Sequence, residues 1–288
     1  MMSRMPTINR RELLSLGLRA GLTTAAGVAG MSTVAAAVAS AAPPVSPESP
    51  SQTPTYETGS FASAARGGAT VNWAIARPPG QTSPLRPVIL LHGKDSSAAT
   101  VMSMGVERFL ADAVAAGLPP FAIAAVDGGN GYWHRRASGD DSGAMVLDEF
   151  IPLLAGHALD TSRVAFLGWS MGGYGAMLLG SRLGAARTAA ICAVSPALWT
   201  SPGAAAPGAF DGAEDYEANS VWGLRTLDGI PLRIDCGFDD PFVSATEQFI
   251  AQLPTPPAGG FSPGGHNAAF WSSQLTPELS WAAPLLTA

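Results

Sequence analysis

Short apolar runs, each closed by glycine, proline or polar residues, alternate along this chain with longer stretches of helical period. Pro87 to Leu91 ends at His92-Gly93, and 121–126 ends at Asp127-Gly128-Gly129. Runs of this length and apolarity predict strands covered on both faces. The pattern returns at 163–167, 190–194 and 231–236. Ahead of these, 61–65 and 69–76 flank Arg66-Gly67-Gly68 and predict an antiparallel hairpin turned at glycine. Between strands, 98–116 sets Met102, Val106, Phe109, Leu110, Ala113 and Val114 on one helical stripe, and 143–157 does the same with Met145, Leu147, Phe150 and Leu154. Helices are also predicted at 172–183 and 242–253. Such alternation predicts a mostly parallel sheet with helices on both faces, whose ligands gather beyond the carboxyl ends of the strands.

Composition narrows the class. With 288 residues, 47% of them hydrophobic, the chain has material for a large core, which excludes a disordered protein and a small disulfide scaffold. Its 33 glycines and 24 prolines follow no triplet period, so a collagen-like helix is excluded. A formal net charge of −6 without a basic patch disfavours nucleic acid and anionic lipid as partners.

The first 41 residues read as an export signal. Asn9-Arg10-Arg11-Glu12-Leu13-Leu14 precedes a weakly hydrophobic Ala/Gly/Leu run, and Ala39-Ser40-Ala41 offers small residues at a cleavage position. This resembles a twin-arginine signal, which implies the twin-arginine export machinery as a partner and a secreted or extracytoplasmic protein. An uncleaved membrane tether is the alternative. Residues 42–58, with five prolines among Ser, Thr and Glu from Pro43 to Pro54, read as an extended linker, leaving 59–288 as one domain.

The strongest chemical signal is Gly168-Trp169-Ser170-Met171-Gly172, set between a predicted strand and a predicted helix. In that context the pattern Gly-x-Ser-x-Gly projects the serine from a tight turn at the top of the sheet. A serine hydroxyl needs a base to attack a carbonyl, and the base needs an orienting acid. Among four histidines, His266, in the glycine-flanked loop Gly264-Gly265-His266-Asn267, has the chain position of the base. His134 is the runner-up, His92 is suited to shaping a loop after its strand, and His157 reads as a helix-end or surface residue. The acid falls in Gly237-Phe238-Asp239-Asp240-Pro241, where Asp240 is preferred over Asp239. Oxyanion donors are expected from the backbone N–H groups of Met171 and Lys94.

These residues resemble the α/β-hydrolase superfamily, in particular the esterase branch that includes feruloyl esterases, S-formylglutathione hydrolases and secreted mycolyltransferases. The motifs carrying the likeness are Leu91-His92-Gly93, 168–173, 237–241 and Gly264-Gly265-His266 followed by Phe270-Trp271. The resemblance implies eight strands with an antiparallel edge, where the apolar pattern supplies seven; the eighth is sought in 255–261. It implies an esterase acting through an acyl-enzyme. Asn267 and Ala268 depart from residues common in that branch and weigh against acyl transfer. An acyltransferase, a peptidase or amidase, and a non-enzymatic envelope-binding protein are the alternatives.

The expected substrate is a small or polymer-attached ester, with Trp133, Trp169, Phe242 and Trp271 as cleft-lining aromatics. No lipase-like lid is legible between Ala193 and Pro231, and 201–213 reads as a short cap or mobile rim. Cys192 and Cys236 fall near the ends of successive predicted strands, as a disulfide or as two buried thiols. No metal or cofactor motif is present, and the sequence is silent on oligomeric state.

Overall fold

Residues 56–287 are described by the computed structural model. The export signal and all but the last three residues of the linker reading lie outside them. The strands are β1 (Tyr56–Ser63), β2 (Ala69–Ala76), β3 (Pro87–Leu91), β4 (Ala122–Val126), β5 (Val164–Trp169), β6 (Thr188–Val194), β7 (Leu232–Gly237) and β8 (Ala258–Ser262). β1 thus starts at Tyr56, inside the stretch read as linker, and pairs over its whole length with β2. The eighth strand is Ala-Gly-Gly-Phe-Ser, which no apolar run announces; its register against β7 makes it a strand.

These strands form one sheet in the order β1-β2-β4-β3-β5-β6-β7-β8. β2 runs antiparallel to both its neighbours, and the pairs from β4 through to β8 are parallel. The antiparallel strand is therefore second from the edge. Because β3 connects outward to β4 on one side while β5 lies on its other side, the strand order reverses between β3 and β5. Clefts in open α/β sheets form at such a switch point.

The helices are α1 (Ala98–Ser103), α2 (Val106–Ala115), α3 (Ser142–Ala144), α4 (Ile151–Gly156), α5 (Met171–Leu183), α6 (Ala213–Asn219), α7 (Val243–Gln252) and α8 (Ala268–Thr287). The stripe at 98–116 is two helices, broken at Gly105, whose φ of 81° ends the ladder. Between α3 and α4, Met145–Phe150 is a π-helical stretch; Pro152 next in line lacks the N–H that the carbonyl of Asp148 would take. α8 carries Pro277 and Pro284 inside it, which obscures it in the sequence. It persists because Phe270, Leu275, Leu279, Ala282 and Leu286 are buried beneath the sheet.

Alternation along the strands builds two cores. Ile89, Leu91 and Phe166 point to the face that carries α5 and Phe249 of α7, and Val88, Leu90, Leu167 and Trp169 to the face covered by α1, α2 and α8. Each fully buried large aliphatic or aromatic side chain contributes about 1.5–3 kcal/mol. Phe166, with no exposed surface, is one whose truncation to alanine costs about 3–5 kcal/mol.

Candidate active site

Ser170 stands at the switch point, between the last residue of β5 and the first of α5, with φ 55° and ψ −122°. That conformation is strained for a residue with a side chain and persists only where the surroundings enforce it. Here they do: the Ser170 N–H donates to the Val194 carbonyl at 3.0 Å, and the Ala197 N–H donates to the Ser170 carbonyl at 3.0 Å. The turn is also too tight for side chains beside it. A Cβ on Gly172 would stand 1.9 Å from the Leu91 carbonyl oxygen, and one on Gly168 would stand 2.3 Å from that of Gly172. Glycine at both positions lets the end of β3 press against the serine turn.

The hydroxyl of Ser170 lies 2.9 Å from Nε2 of His266, whose Nδ1 lies 2.9 Å from Oδ2 of Asp240. Asp240 is buried, and its other oxygen accepts the Phe242 N–H at 2.9 Å. Burial works to raise its pKa, but the hydrogen bonds from His266 and Phe242 prevail and hold the carboxyl below its ordinary value. A carboxylate at Nδ1 fixes the tautomer that presents a lone pair on Nε2 to the serine. Asp239, the alternative acid, instead donates its N–H to the Gly264 carbonyl in the loop leading to His266.

Among solved structures, a ferulic acid esterase is similar, with a TM-score of 0.70 and 20% identity over 80% of this chain and 98% of that one. S-formylglutathione hydrolase from Staphylococcus aureus gives a TM-score of 0.63 and 19% identity, over 79% and 98%. Enterochelin esterase from Shigella flexneri gives 0.62 and 20%, over 82% of this chain and 60% of that one. No protein-family model and no curated protein matches the chain. The fold is that of an α/β-hydrolase. At these identities the likeness carries the architecture, and the chemistry rests on the site.

In this fold the loop after β3 is held by a buried histidine. The Gly128 N–H donates to Nε2 of His92 at 2.9 Å, so the proton of this buried imidazole is on Nδ1, which donates to the Gly93 carbonyl at 2.7 Å. Burial pushes the His92 pKa down and keeps the ring neutral, as this pattern requires. Since a trans peptide sets C=O and N–H in opposite directions, the Lys94 N–H is aimed away from the buried ring. Met171 opens α5, where the first N–H groups have no intrahelical acceptor. The Lys94 ammonium is bound to Asp95 at 2.8 Å.

The four aromatics divide into two kinds. Phe242 and Trp271 are half-buried, and each meets the His266 ring edge-on with centroids 5.2 Å apart. Trp133 and Trp169 do not line a cleft. Trp133 has no exposed surface and lies so close to α5 that a Cβ on Gly175 would stand 2.3 Å from its ring; it meets His92 edge-on at 5.0 Å. Trp169, 2% exposed, alternates onto the α8 face of the sheet and stacks on Trp271 at 5.8 Å. The sequence shows an aromatic next to a turn without showing which way the turn directs it.

His134 is buried against the carbonyls of Arg135 and Ala209 and stacks on Phe210, and His157 pairs with Glu57. The stretch 201–213 is tethered: Arg136 donates to the Ala209 carbonyl at 2.6 Å and to Asp211 at 2.7 Å, and Phe210 packs among Tyr132, Tyr174, Trp199 and Tyr216. Cys192 and Cys236 are free thiols. Cys192 sits opposite Arg233, an odd number of places from Cys236, so the two side chains leave opposite faces of the sheet. Among the described residues no group of three or more His, Cys, Asp or Glu is arranged to hold a metal ion, and no helix is long and apolar enough to cross a membrane.

Proposed function

We propose that the chain is an exported serine esterase that hydrolyses small or polymer-attached carboxylic esters through an acyl-enzyme. The observation that carries this reading is the unbroken relay from the Ser170 hydroxyl through His266 to Asp240, two contacts of 2.9 Å on a strained strand-to-helix turn. Ser170 Oγ attacks the ester carbonyl carbon while its proton passes to Nε2 of His266. The imidazolium is stabilised by Asp240, which keeps its charge. The tetrahedral oxyanion takes the N–H groups of Met171 and Lys94; a single such donor is worth about 3–4 kcal/mol. Collapse expels the alcohol, which takes the proton from Nε2, and water activated by the same ring then releases the acid.

Hydrolysis of small or polymer-borne esters is supported by the partial exposure of Ser170 and His266, which reaches 23% for the His266 side chain. The esterases among similar solved structures support the same class. The arginine pair ahead of the apolar N-terminal run supports export. Intact-mass analysis after exposure to a fluorophosphonate tests the nucleophile: one adduct is expected on the wild type and none on Ser170→Ala. A folded wild-type protein that stays unlabelled and turns over no ester rejects the reading.

A further inference from the structure

The loop after β3 carries a second strained residue. Asp95 has φ 59°, a left-handed conformation that a side chain disfavours. Asn130, in the loop after β4, grips it from two sides: Oδ1 accepts the Asp95 N–H at 2.8 Å, and Nδ2 donates to Asp95 Oδ1 at 2.7 Å. The orientation of the amide is fixed, because a backbone N–H only donates and an ionised carboxylate only accepts. Hydrogen bonding to the carboxylate by Lys94 and by Asn130 holds the Asp95 pKa below its ordinary value.

The loop that presents Asn130 is itself fastened. Trp133 is buried between Gly128 and Gly175, His92 receives the Gly128 N–H, and Asp127 accepts the N–H of Ala98 at 2.7 Å and the Asn72 amide at 2.9 Å. Lys94 is therefore held on both sides, with its preceding carbonyl pinned by His92 and the following residue clamped by Asn130.

We infer that Asn130 is a positioning residue for ester hydrolysis, locking the Lys94–Asp95 turn so that the Lys94 N–H meets the oxyanion. The inference rests on the esterase reading and on Lys94 as a donor. Asn130 needs no contact with substrate.

Steady-state kinetics on the full chain test it. Asn130→Ala is expected to lower kcat about 10- to 50-fold, a fraction of the hundredfold or more that follows loss of a whole donor, with KM within about twofold. A boronic acid, whose tetrahedral adduct occupies the oxyanion position, is expected to lose affinity by the same factor as kcat/KM, while the carboxylate product binds unchanged. Asp95→Gly gives the turn a residue that adopts positive φ freely, so Asn130→Ala in that background is expected to cost less than about threefold. Should Asn130→Ala fail to fold, Asn130→Asp carries the same comparison, because it sets one carboxylate against another. Wild-type kcat in the Asn130 variant, or a loss that spares boronic acid affinity, overturns the inference and leaves the esterase reading standing. A wild type that neither labels nor turns over ester removes both.

Discussion

Ser170 holds a backbone conformation that costs about 1–3 kcal/mol for a residue with a side chain, and the hydroxyl it delivers is the return on that strain. Ser170→Gly is accordingly expected to be inactive yet more stable, by about 1 kcal/mol, in thermal denaturation; a lower melting temperature would contradict the strain. Asp240 gives the pH dependence a definite sign. Its folded pKa is below the unfolded one, so its contribution to stability is present above the unfolded value and fades as pH falls through the folded one. His266→Gln, which removes the imidazole 2.9 Å from the Ser170 hydroxyl, is expected to lower kcat about a thousandfold or more, and a folded variant that keeps wild-type kcat would reject His266 as base. These three residues were legible because each sits in a turn whose glycines mark it: Gly168 and Gly172 about the serine, Gly237 before the acid, Gly264 and Gly265 before the histidine. Asn130 was not legible. Its partner Asp95 lies in another loop, and Gly-Gly-Asn-Gly reads locally as an ordinary turn.

At the scale of elements, a loop is only as well aimed as the side chain that anchors it. Trp133 anchors the loop after β4 between the sheet and α5, and its φ of 59° together with 55° at Tyr132 records how tightly the chain must fold to bury it. Trp133→Ala is expected to cost about 3–5 kcal/mol in denaturant unfolding and to slow fluorophosphonate labelling of whatever remains folded. A loss below about 1 kcal/mol would mean that the indole is dispensable to the fold. The central strands were legible because burial on both faces leaves them uniformly apolar. β8 was harder, since at the sheet margin its residues are only partly covered and two of its five are glycine. α6 and α8 were not recognised: α6 is short and polar, and α8 has prolines that local propensity treats as stops while tertiary burial overrides them.

Across the whole molecule, the two faces of the sheet carry different burdens. The face bearing α5 holds Trp133 and the aromatic cluster about Phe210, while the face under α8 encloses an ionisable group. Glu278 is fully buried beside Asp235, with Arg233 Nε 3.9 Å away, and neither of its oxygens has a well-formed hydrogen bond. Burial, reinforced by the neighbouring Asp235 carboxylate, pushes the Glu278 pKa well above its ordinary 4.5. A pKa raised on folding gives stability that is complete below the unfolded value and is lost as pH climbs toward the folded one. Glu278→Gln is expected to escape that loss, so its melting temperature should gain on the wild type as pH rises from about 5 to 8; parallel curves would show the carboxyl to be ionised in both states. The placement of Cys192 and Cys236 on opposite faces has a consequence for how this molecule is made. Its shape owes nothing to a covalent crosslink between them, so reductant should leave its unfolding temperature unmoved. The domain can mature in a reducing compartment as readily as in an oxidising one, with no oxidant needed to complete it.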